Sequence, residues 1–437
     1  MLKTLRNIWK MKDLRKKFIN TFFVLLVVLV GCQLPMPGID SAAISDYFQN
    51  SLGESFRLMN TFTGGSLEKM SIFALNVTPY ITSSIIMQLL TIAIPALEEM
   101  HRDGEEGRKK MTKITRFVTV ALGALEGLGT SIGFGRSGYM DDYNAFNVAL
   151  MVVTLTAGSV FVMWLGECIT EKGIGNGISI ILLFNIVSTM PNDFYKLYQK
   201  FVEGKEIGAM LIAVCIIVAV VVFSTVLVTL FNAAERRIPV QYAKKQAGRK
   251  LIGGQQTYIP VKVMTANVIP VIFASSLMSF PAVISNLFSV DETGVWGKIL
   301  RVLSSSNWCD PDHPARSIGL IVYIILIFLF AYFYTSITFN PIEIANNMKK
   351  SGGFIPGIRP GKPTTEYLNS ILNSVIFIGA LGLSIVAIIP IFFSGWFDAQ
   401  VSFGGTSIII VVGVILETIK QVESQMLVRH YKGFLND

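Results

Sequence analysis

The sequence predicts an all-α polytopic membrane protein with ten transmembrane helices in two five-helix halves. Three observations predict it. Of 437 residues, 52% are hydrophobic and only 15% charged, and mean hydropathy is +0.56, more apolar surface than one soluble core can hide. Apolar runs recur ten times, at about 18–38, 71–95, 114–134, 147–167, 174–191, 207–231, 263–290, 317–339, 370–394 and 403–422. At 1.5 Å per residue, runs of this length cross an apolar layer about 30 Å thick. Most of the 37 Lys and Arg fall in the N-terminal segment, the loops after spans 2, 4, 6 and 8, and the C-terminal tail. By the positive-inside rule that side is cytoplasmic, and both termini with it.

Taken in order, MLKTLRNIWKMKDLRKKF precedes an apolar run with no small-residue cleavage site, ending in Pro35-Met36-Pro37-Gly38. This is expected to be an uncleaved first span. In the next segment Phe56, Met59 and Phe62 stand at helical spacing and Gly64-Gly65 stops the pattern. A helix there is roughly ten residues, about 15 Å, too short to cross. It is expected to be a half-helix at about 56–65, buried in protein or seated in a cavity, because lipid cannot satisfy its free ends. Ser71 to Pro95 follows with no formal charge and is expected to span. Together they suggest a plug beside a path. Ten spans divide into residues 1–190 (spans 1–5), an external hinge loop at 191–206, a second half at 207–425 and a tail at 426–437. Because five is odd, related halves would lie in opposite orientations. Spans 2 and 7, each with a proline in its apolar run (Pro79 and Pro270), then correspond.

Two cytoplasmic loops are longer than orientation needs. Residues 231–262 carry Arg236, Arg237, Lys244, Lys245, Arg249 and Lys250; residues 340–367 carry Lys349, Lys350 and the turn Gly357-Ile358-Arg359-Pro360-Gly361, which presents Arg359 at its tip. Both read as docking surfaces for an acidic partner, against the simpler role of holding topology on anionic lipid. GIRPGKPT is not a phosphate loop, since three residues, not four, separate its glycines and Pro363 follows Lys362. EKGIGNGISI (Glu171 to Ile180) places three glycines at a span entrance, where they permit a tight turn and close helix approach.

The spans read as nearly free of charge at their centres, with Glu167 and Glu417 toward cytoplasmic ends. That argues against ion-coupled carriers and pumps, which need an intramembrane ionisable group. No carboxylate ring, HExxH or nucleophile with a nearby His is visible, so no enzyme, metal or cofactor is expected. Four cysteines have neither metal nor disulfide spacing. The spans hold aliphatic residues with scattered amides and hydroxyls at Asn76, Thr82, Ser83, Ser84, Gln88, Asn185 and Asn267. A ring of Val, Ile and Leu binds nothing strongly and blocks ions by dewetting when closed. A secondary transporter and a structural scaffold remain the alternatives from the residues alone.

Eight motifs in order resemble the SecY family over essentially the whole chain: PMPGID (Pro35 to Asp40), MNTFTGGSLEKMSIFAL (Met59 to Leu75), PYITSSIIMQLLT (Pro79 to Thr91), MWLGECITEKGIGNGISI (Met163 to Ile180), ERRIPVQYAKKQAGRK (Glu235 to Lys250), NVIPVIFASS (Asn267 to Ser276), FNPIEIANNMKKSGGFIPGIRPG (Phe339 to Gly361) and FGGTSIIIVV (Phe403 to Val412). The resemblance implies an inverted repeat of two pseudo-symmetric halves around a central pore, which conducts unfolded secretory polypeptides across the bacterial cytoplasmic membrane and releases hydrophobic segments sideways into lipid. It implies a pore ring of Val77, Ile81, Ile178, Leu182, Ile272 and Ile410. Val77 and Leu182 stand where the family often has isoleucine. It further implies a plug containing Phe56, Met59, Asn60, Phe62, Gly64 and Gly65, and polar gate contacts from Thr82, Gln88 and Asn267. Docking of the motor ATPase SecA or the ribosome would use Arg236, Arg237, Lys244, Lys245, Arg249 and Arg359, with rRNA phosphate contacted through charge. Small partner subunits SecE and SecG are also implied. One departure is LVGCQLPMPGID, which lacks the arginine expected in the first span.

Overall fold

A computed structural model describes residues 11–41, 43–45, 60–136, 138–140, 142–203, 207–242, 245–247, 250–252, 256–266, 268–288, 294–303, 308, 317–397 and 405–433. Among these, six helical stretches are long and apolar enough to cross a membrane: Gly104–Arg136, Ala145–Lys172, Gly177–Phe201, Met210–Ala233, Ile318–Ser351 and Lys362–Phe392. The chain is a polytopic, mostly helical membrane protein. It forms two compact units, one of Met1–Leu197, Pro281–Leu300 and Val414–Asp437, the other of Tyr198–Phe280 and Arg301–Gly413.

In the first unit, α1 (Lys12–Gln33), α2 (Thr78–Ala93), α3 (Pro95–Arg102), α4 (Gly104–Arg136), α5 (Ala145–Lys172) and α6 (Gly177–Phe201) follow one another. Helix α4 packs on both α2 and α5, and α1 packs on α5. The reason is legible in α4, whose buried residues Thr115, Thr119, Gly123, Gly127, Ser131 and Gly135 recur every four positions. Such a stripe of small residues lets backbones meet where lipid supplies no hydrophobic drive between helices. A Cβ on Gly127 would lie 3.6 Å from the Val152 Cα of α5, and one on Gly123 would lie 3.8 Å from Pro79 of α2. Ser83 of α2 adds a hydrogen bond of 2.8 Å to the Thr115 carbonyl.

The second span departs from its expected shape. Residues 71–77 are not helical; α2 begins only at Thr78, with Pro79 in its first turn, and is 16 residues long, about 24 Å. Pro270 likewise sits in the first turn of its helix, so both prolines start helices instead of interrupting spans. Proline is pre-set for that position because its missing N–H would be unpaired there anyway. The cause upstream is Asn76, whose φ of 47° is left-handed and cannot continue a helix. The first span is also displaced from its expected bounds: α1 begins at Lys12 and already ends at Gln33, and Pro35 makes an isolated bridge to Ser71.

The second unit contains α7 (Ile207–Ala233), strands β1 (Glu235–Tyr242), β2 (Lys245–Ala247), β3 (Lys250–Ile252) and β4 (Gln256–Lys262), then α8 (Ile269–Phe288). After α9 (Val295–Leu303) come α10 (Ile318–Thr338), α11 (Pro341–Ser351), β5 (Gly353–Phe354), α12 (Lys362–Phe397) and α13 (Gly405–Gly433). Helices α6, α8, α9 and α13 each run from one unit's residues into the other's. The strands were not anticipated from the two basic loops. They form an antiparallel sheet in the order β4-β1-β5, with Ile238 opposite Ile259, and a separate β2-β3 hairpin. Ile238, Val240 and Val261 bury against Ala345 and Met348 of α11, Ile355, and Leu368 and Leu372 of α12. Pro239 stands opposite Tyr258 of β4, and because β5 pairs only with Gln241 and Tyr242, no ladder donor is required of Pro239 on the β5 side.

Gly158 of α5 is where the irregular 71–77 backbone comes nearest, since a Cβ there would run into the Ile72 carbonyl oxygen. Gly158→Ala is expected to destabilise the protein by roughly 1–3 kcal/mol through overpacking against backbone. Gly133→Ala, where nothing lies within 4 Å, serves as the neutral control. Thermal unfolding in detergent checks the pair.

Candidate functional site

The first candidate site is the turn between Asn60 and Val77, in the first unit. Helical geometry ends at Phe62, and Gly64 and Gly65 adopt φ of 71° and 78°, which glycine reaches without Cβ strain. This is the glycine stop read from the sequence. Phe56 and Met59 lie outside the described residues, so the half-helix is described only at its end. The segment is buried: Thr61, Thr63, Ser66, Leu67, Met70, Ser71, Ala74, Leu75, Asn76 and Val77 are all at most 2% exposed.

Buried irregular backbone must find hydrogen bonds, and here side chains supply many of them. The Thr63 carbonyl accepts from Ser66 Oγ (2.6 Å), Asn76 Nδ2 (3.3 Å) and, more weakly, Cys32 Sγ of α1 (3.9 Å). The Phe62 carbonyl accepts from Asn185 Nδ2 of α6 at 2.9 Å. Asn60 and Glu68 pair twice, Asn60 Nδ2 donating to the carboxylate (2.9 Å) and the Glu68 amide donating to Asn60 Oδ1 (3.0 Å). The turn is stitched to α1, to the start of α2 and to α6.

The six ring candidates divide between the units. In the first, Val77 caps the start of α2 and is 1% exposed, Ile81 lies one turn later, and Ile178 and Leu182 sit one turn apart on α6. Ile178 lays its Cδ1 beside Gly166 of α5. In the second unit, Ile272 lies in the first turn of α8 and is partly buried, and Ile410 on α13 is 2% exposed. All six are uncharged and aliphatic. Of the polar gate candidates, Thr82 back-bonds to its own helix at Thr78, Gln88 donates to Ser84, and Asn267 lies outside the described residues.

One expectation fails in this unit. The spans are not free of charge at their centres, because Glu126 lies near the middle of the α4 span and its Oε2 is buried with no hydrogen-bond partner among the described residues. A single acid inside a long Gly- and Ala-rich run is easily passed over when charge is averaged across the window. The absence of a midplane ionisable group therefore cannot argue against a transporter.

The second candidate site is the basic face of the second unit. Arg236 and Arg237 are exposed on β1, but Arg237 is already engaged: its Nε donates to Glu235 at 2.7 Å and its guanidinium lies 4.9 Å from the Tyr258 ring centroid. The Glu235 hydrogen bond, followed by the charges of Tyr258 and Glu235, pushes the Arg237 pKa further upward. Lys245 pairs with Ile252 in the hairpin, and Lys244 and Arg249 lie outside the described residues. Arg359 is exposed in the 355–361 turn, where Gly357 and Gly361 take φ of 82° and 108°. Its base is fixed: Ile355 is buried, Thr364 Oγ1 of α12 donates to the Arg359 carbonyl at 2.9 Å, and the Ile358 amide donates to Ile355.

With that geometry in place, the comparisons decide the family. A SecY family model matches residues 71–419. The chain belongs to the SecY family. It is 44% identical to the protein translocase subunit SecY of Streptomyces scabiei, 41% to that of Halalkalibacterium halodurans and 38% to that of Aquifex aeolicus, in each case over all of both chains. A solved SecY structure, from work on its plug domain, is similar with a TM-score of 0.65 at 17% identity, covering 94% of this chain and 92% of that one. Sec61 in the canine ribosome-channel complex is similar with a TM-score of 0.61 at 16% identity and the same coverage. SecY proteins are protein-conducting translocation channels, not enzymes, and the secondary-transporter alternative finds no support.

The SecY basic turn depends on α11, which carries its own cap. Asn340 Oδ1 accepts from the Ile342 and Glu343 amides, and Gly352 (φ 70°) closes the other end. Asn340→Ala is expected to cost about 1 kcal/mol. Hydrogen exchange should quicken at Ile342 and Glu343 first, and unchanged exchange there would remove the cap from the account.

Proposed function

We propose that this chain forms the pore through which unfolded secretory polypeptides cross a bacterial cytoplasmic membrane, both termini on the cytoplasmic side. The observation that carries the reading, beyond family membership, is a buried turn stitched beside uncharged aliphatic side chains on α2 and α6. The solved SecY work attributes to the plug of that protein stabilisation of the closed state and maintenance of the membrane seal. In this chain residues 56–65, with Asn60, Phe62, Gly64 and Gly65 described, take that role.

Val77, Ile81, Ile178, Leu182, Ile272 and Ile410 form the constriction. An aliphatic constriction suits a substrate of variable sequence, because it selects no side chain and excludes ions by dewetting. The two halves are residues 1–190 and 207–425; the joining segment 191–206, expected as an external loop, is helical as far as Phe201 at the end of α6. Thr82, Gln88 and Asn267 stand at a lateral opening through which apolar segments leave. Leu or Phe gains a few tenths of a kcal/mol per residue at a helix centre, whereas a charge costs about 3 kcal/mol, so the exiting segment is chosen by partition.

Arg236, Lys244, Lys245, Arg249 and Arg359 dock the SecA motor or the ribosome, with Arg237 contributing its exposed flank. Structures of Sec61 and Ssh1 have been solved in ribosome complexes. SecE and SecG complete the membrane assembly. Support for the docking role comes from a guanidinium held at the tip of a turn whose base is buried.

Two experiments test the reading. Ile81→Gly combined with Ile272→Gly should raise ion leak in a reconstituted bilayer several-fold; unchanged conductance would remove both from the constriction. Arg359→Glu should slow motor-driven export about tenfold while leaving expression and resting ion leak as in the parent, and normal export by that variant would end the docking role.

A further inference from the structure

We infer that Asn76 and Asn185 are a pair of amide latches that set how readily the channel opens. This rests on the plug reading above and adds to it the residues that hold the plug shut.

Each asparagine donates to a carbonyl of the plug turn, Asn185 to Phe62 and Asn76 to Thr63, so two adjacent carbonyls are gripped from two places, α6 and the irregular residue just before α2. Both side chains are almost fully buried, at 2% and 0% exposure. Their places in the chain give the grip its meaning. Asn76 immediately precedes Val77, and its Oδ1 accepts the Val77 amide at 2.9 Å. Asn185 lies three residues after Leu182 on α6, on the same helical face. Both latches therefore stand beside constriction residues, within one compact unit.

Asn76 also has a backbone reason to be a two-state element. Its φ of 47° is uncommon outside glycine, and asparagine tolerates it best when its side chain bonds locally. With the plug turn in place, one amide is used at both ends: Oδ1 holds Val77, and Nδ2 holds Thr63 and touches Cys32 Sγ at 3.5 Å. When the turn leaves, Nδ2 loses the Thr63 carbonyl, and the support for the left-handed backbone at the start of α2 weakens with it. Plug departure and reshaping of the first turn of α2 are thereby one event. Gly64 adds to the fit on the other side: a Cβ there would stand 3.1 Å from Asn185 Oδ1, so only a glycine lets the turn seat this closely.

The two grips differ in weight: the Thr63 carbonyl keeps Ser66 as a donor when Asn76 is lost, whereas the Asn185 amide is the side chain bonded to the buried Phe62 carbonyl, and an unsatisfied buried carbonyl costs more than a solvated bond returns. Loss of a single net hydrogen bond, about 1 kcal/mol, corresponds to about a fivefold change in an equilibrium.

The test uses the full chain, purified with the subunits that accompany it and reconstituted in planar bilayers without translocating substrate. Five variants are compared: Asn185→Leu, Asn185→Gln, Asn76→Gly (which keeps the left-handed backbone accessible and removes only the amide), the double Asn185→Leu/Asn76→Gly variant, and deletion of residues 60–65. Resting open probability should rise about fivefold in Asn185→Leu and in Asn76→Gly, and thermal unfolding and gel-filtration profile should stay within those of the parent. Asn185→Gln, which retains an amide donor, should recover part of the closed state. If the deletion raises open probability and neither asparagine variant does, the latch is overturned and the plug stands. If the deletion leaves conductance unchanged, the plug reading falls and the latch with it. A rise in Asn185→Leu that Asn185→Gln fully reproduces, with lowered thermal stability in both, would also overturn it, because general loosening would then be the cause.

Discussion

The demand that every buried peptide group find a partner governs this protein more than any other constraint. In an apolar layer there is no water to take an unpaired N–H or C=O, so irregular backbone is admissible only where protein encloses and satisfies it. Residues 60–77 are such a stretch. They cost the second span seven residues of helix, and they survive because Ser66, Asn60, Asn76, Asn185 and Cys32 stand where helical bonds would have been.

The basic face solves a different problem with different means. A membrane helix presents charge poorly, because its ends must remain near the interface. The second unit instead extends a small sheet beyond its spans and seats it on α11 and α12 through Ile238, Val240, Val261 and Ile355. The aliphatic core there makes the basic turn a rigid presentation instead of a loose loop. Asn340 and Gly352 fix the ends of α11, and Gly357 and Gly361 let the chain reverse tightly around Arg359.

Much of the architecture was legible because apolar length is a coarse, additive signal. The spans from 114 to 167 and from 207 to 231 fall within α4, α5 and α7, whose long runs have no competing pattern. What the sequence hid has specific causes. The α2 start at Thr78 depends on a single left-handed residue, which hydropathy does not register. The sheet was concealed by its brevity and its proline, although the signal existed: Ile238-Pro239-Val240 and Ile259-Pro260-Val261 repeat the same triplet, and in the antiparallel ladder the first Ile faces the second. Asn76 and Asn185 were visible as polar residues inside spans, but nothing in their spacing says that they reach two neighbouring carbonyls of the same turn. Glu126 was lost in the average composition of its span.

The stripe of Gly, Ser and Thr along α4 has a mechanical consequence. Where bulky side chains interlock, a displaced helix can be absorbed by rotamer changes in the layer between. That layer is thin where α4 meets α5, since a Cβ on Gly127 would lie 3.6 Å from the Val152 main chain, and on the α2 side only the Pro79 ring fills the gap at Gly123. A displacement at the start of α2 thus meets little soft packing at the Pro79–Gly123 contact to absorb it before it reaches α4.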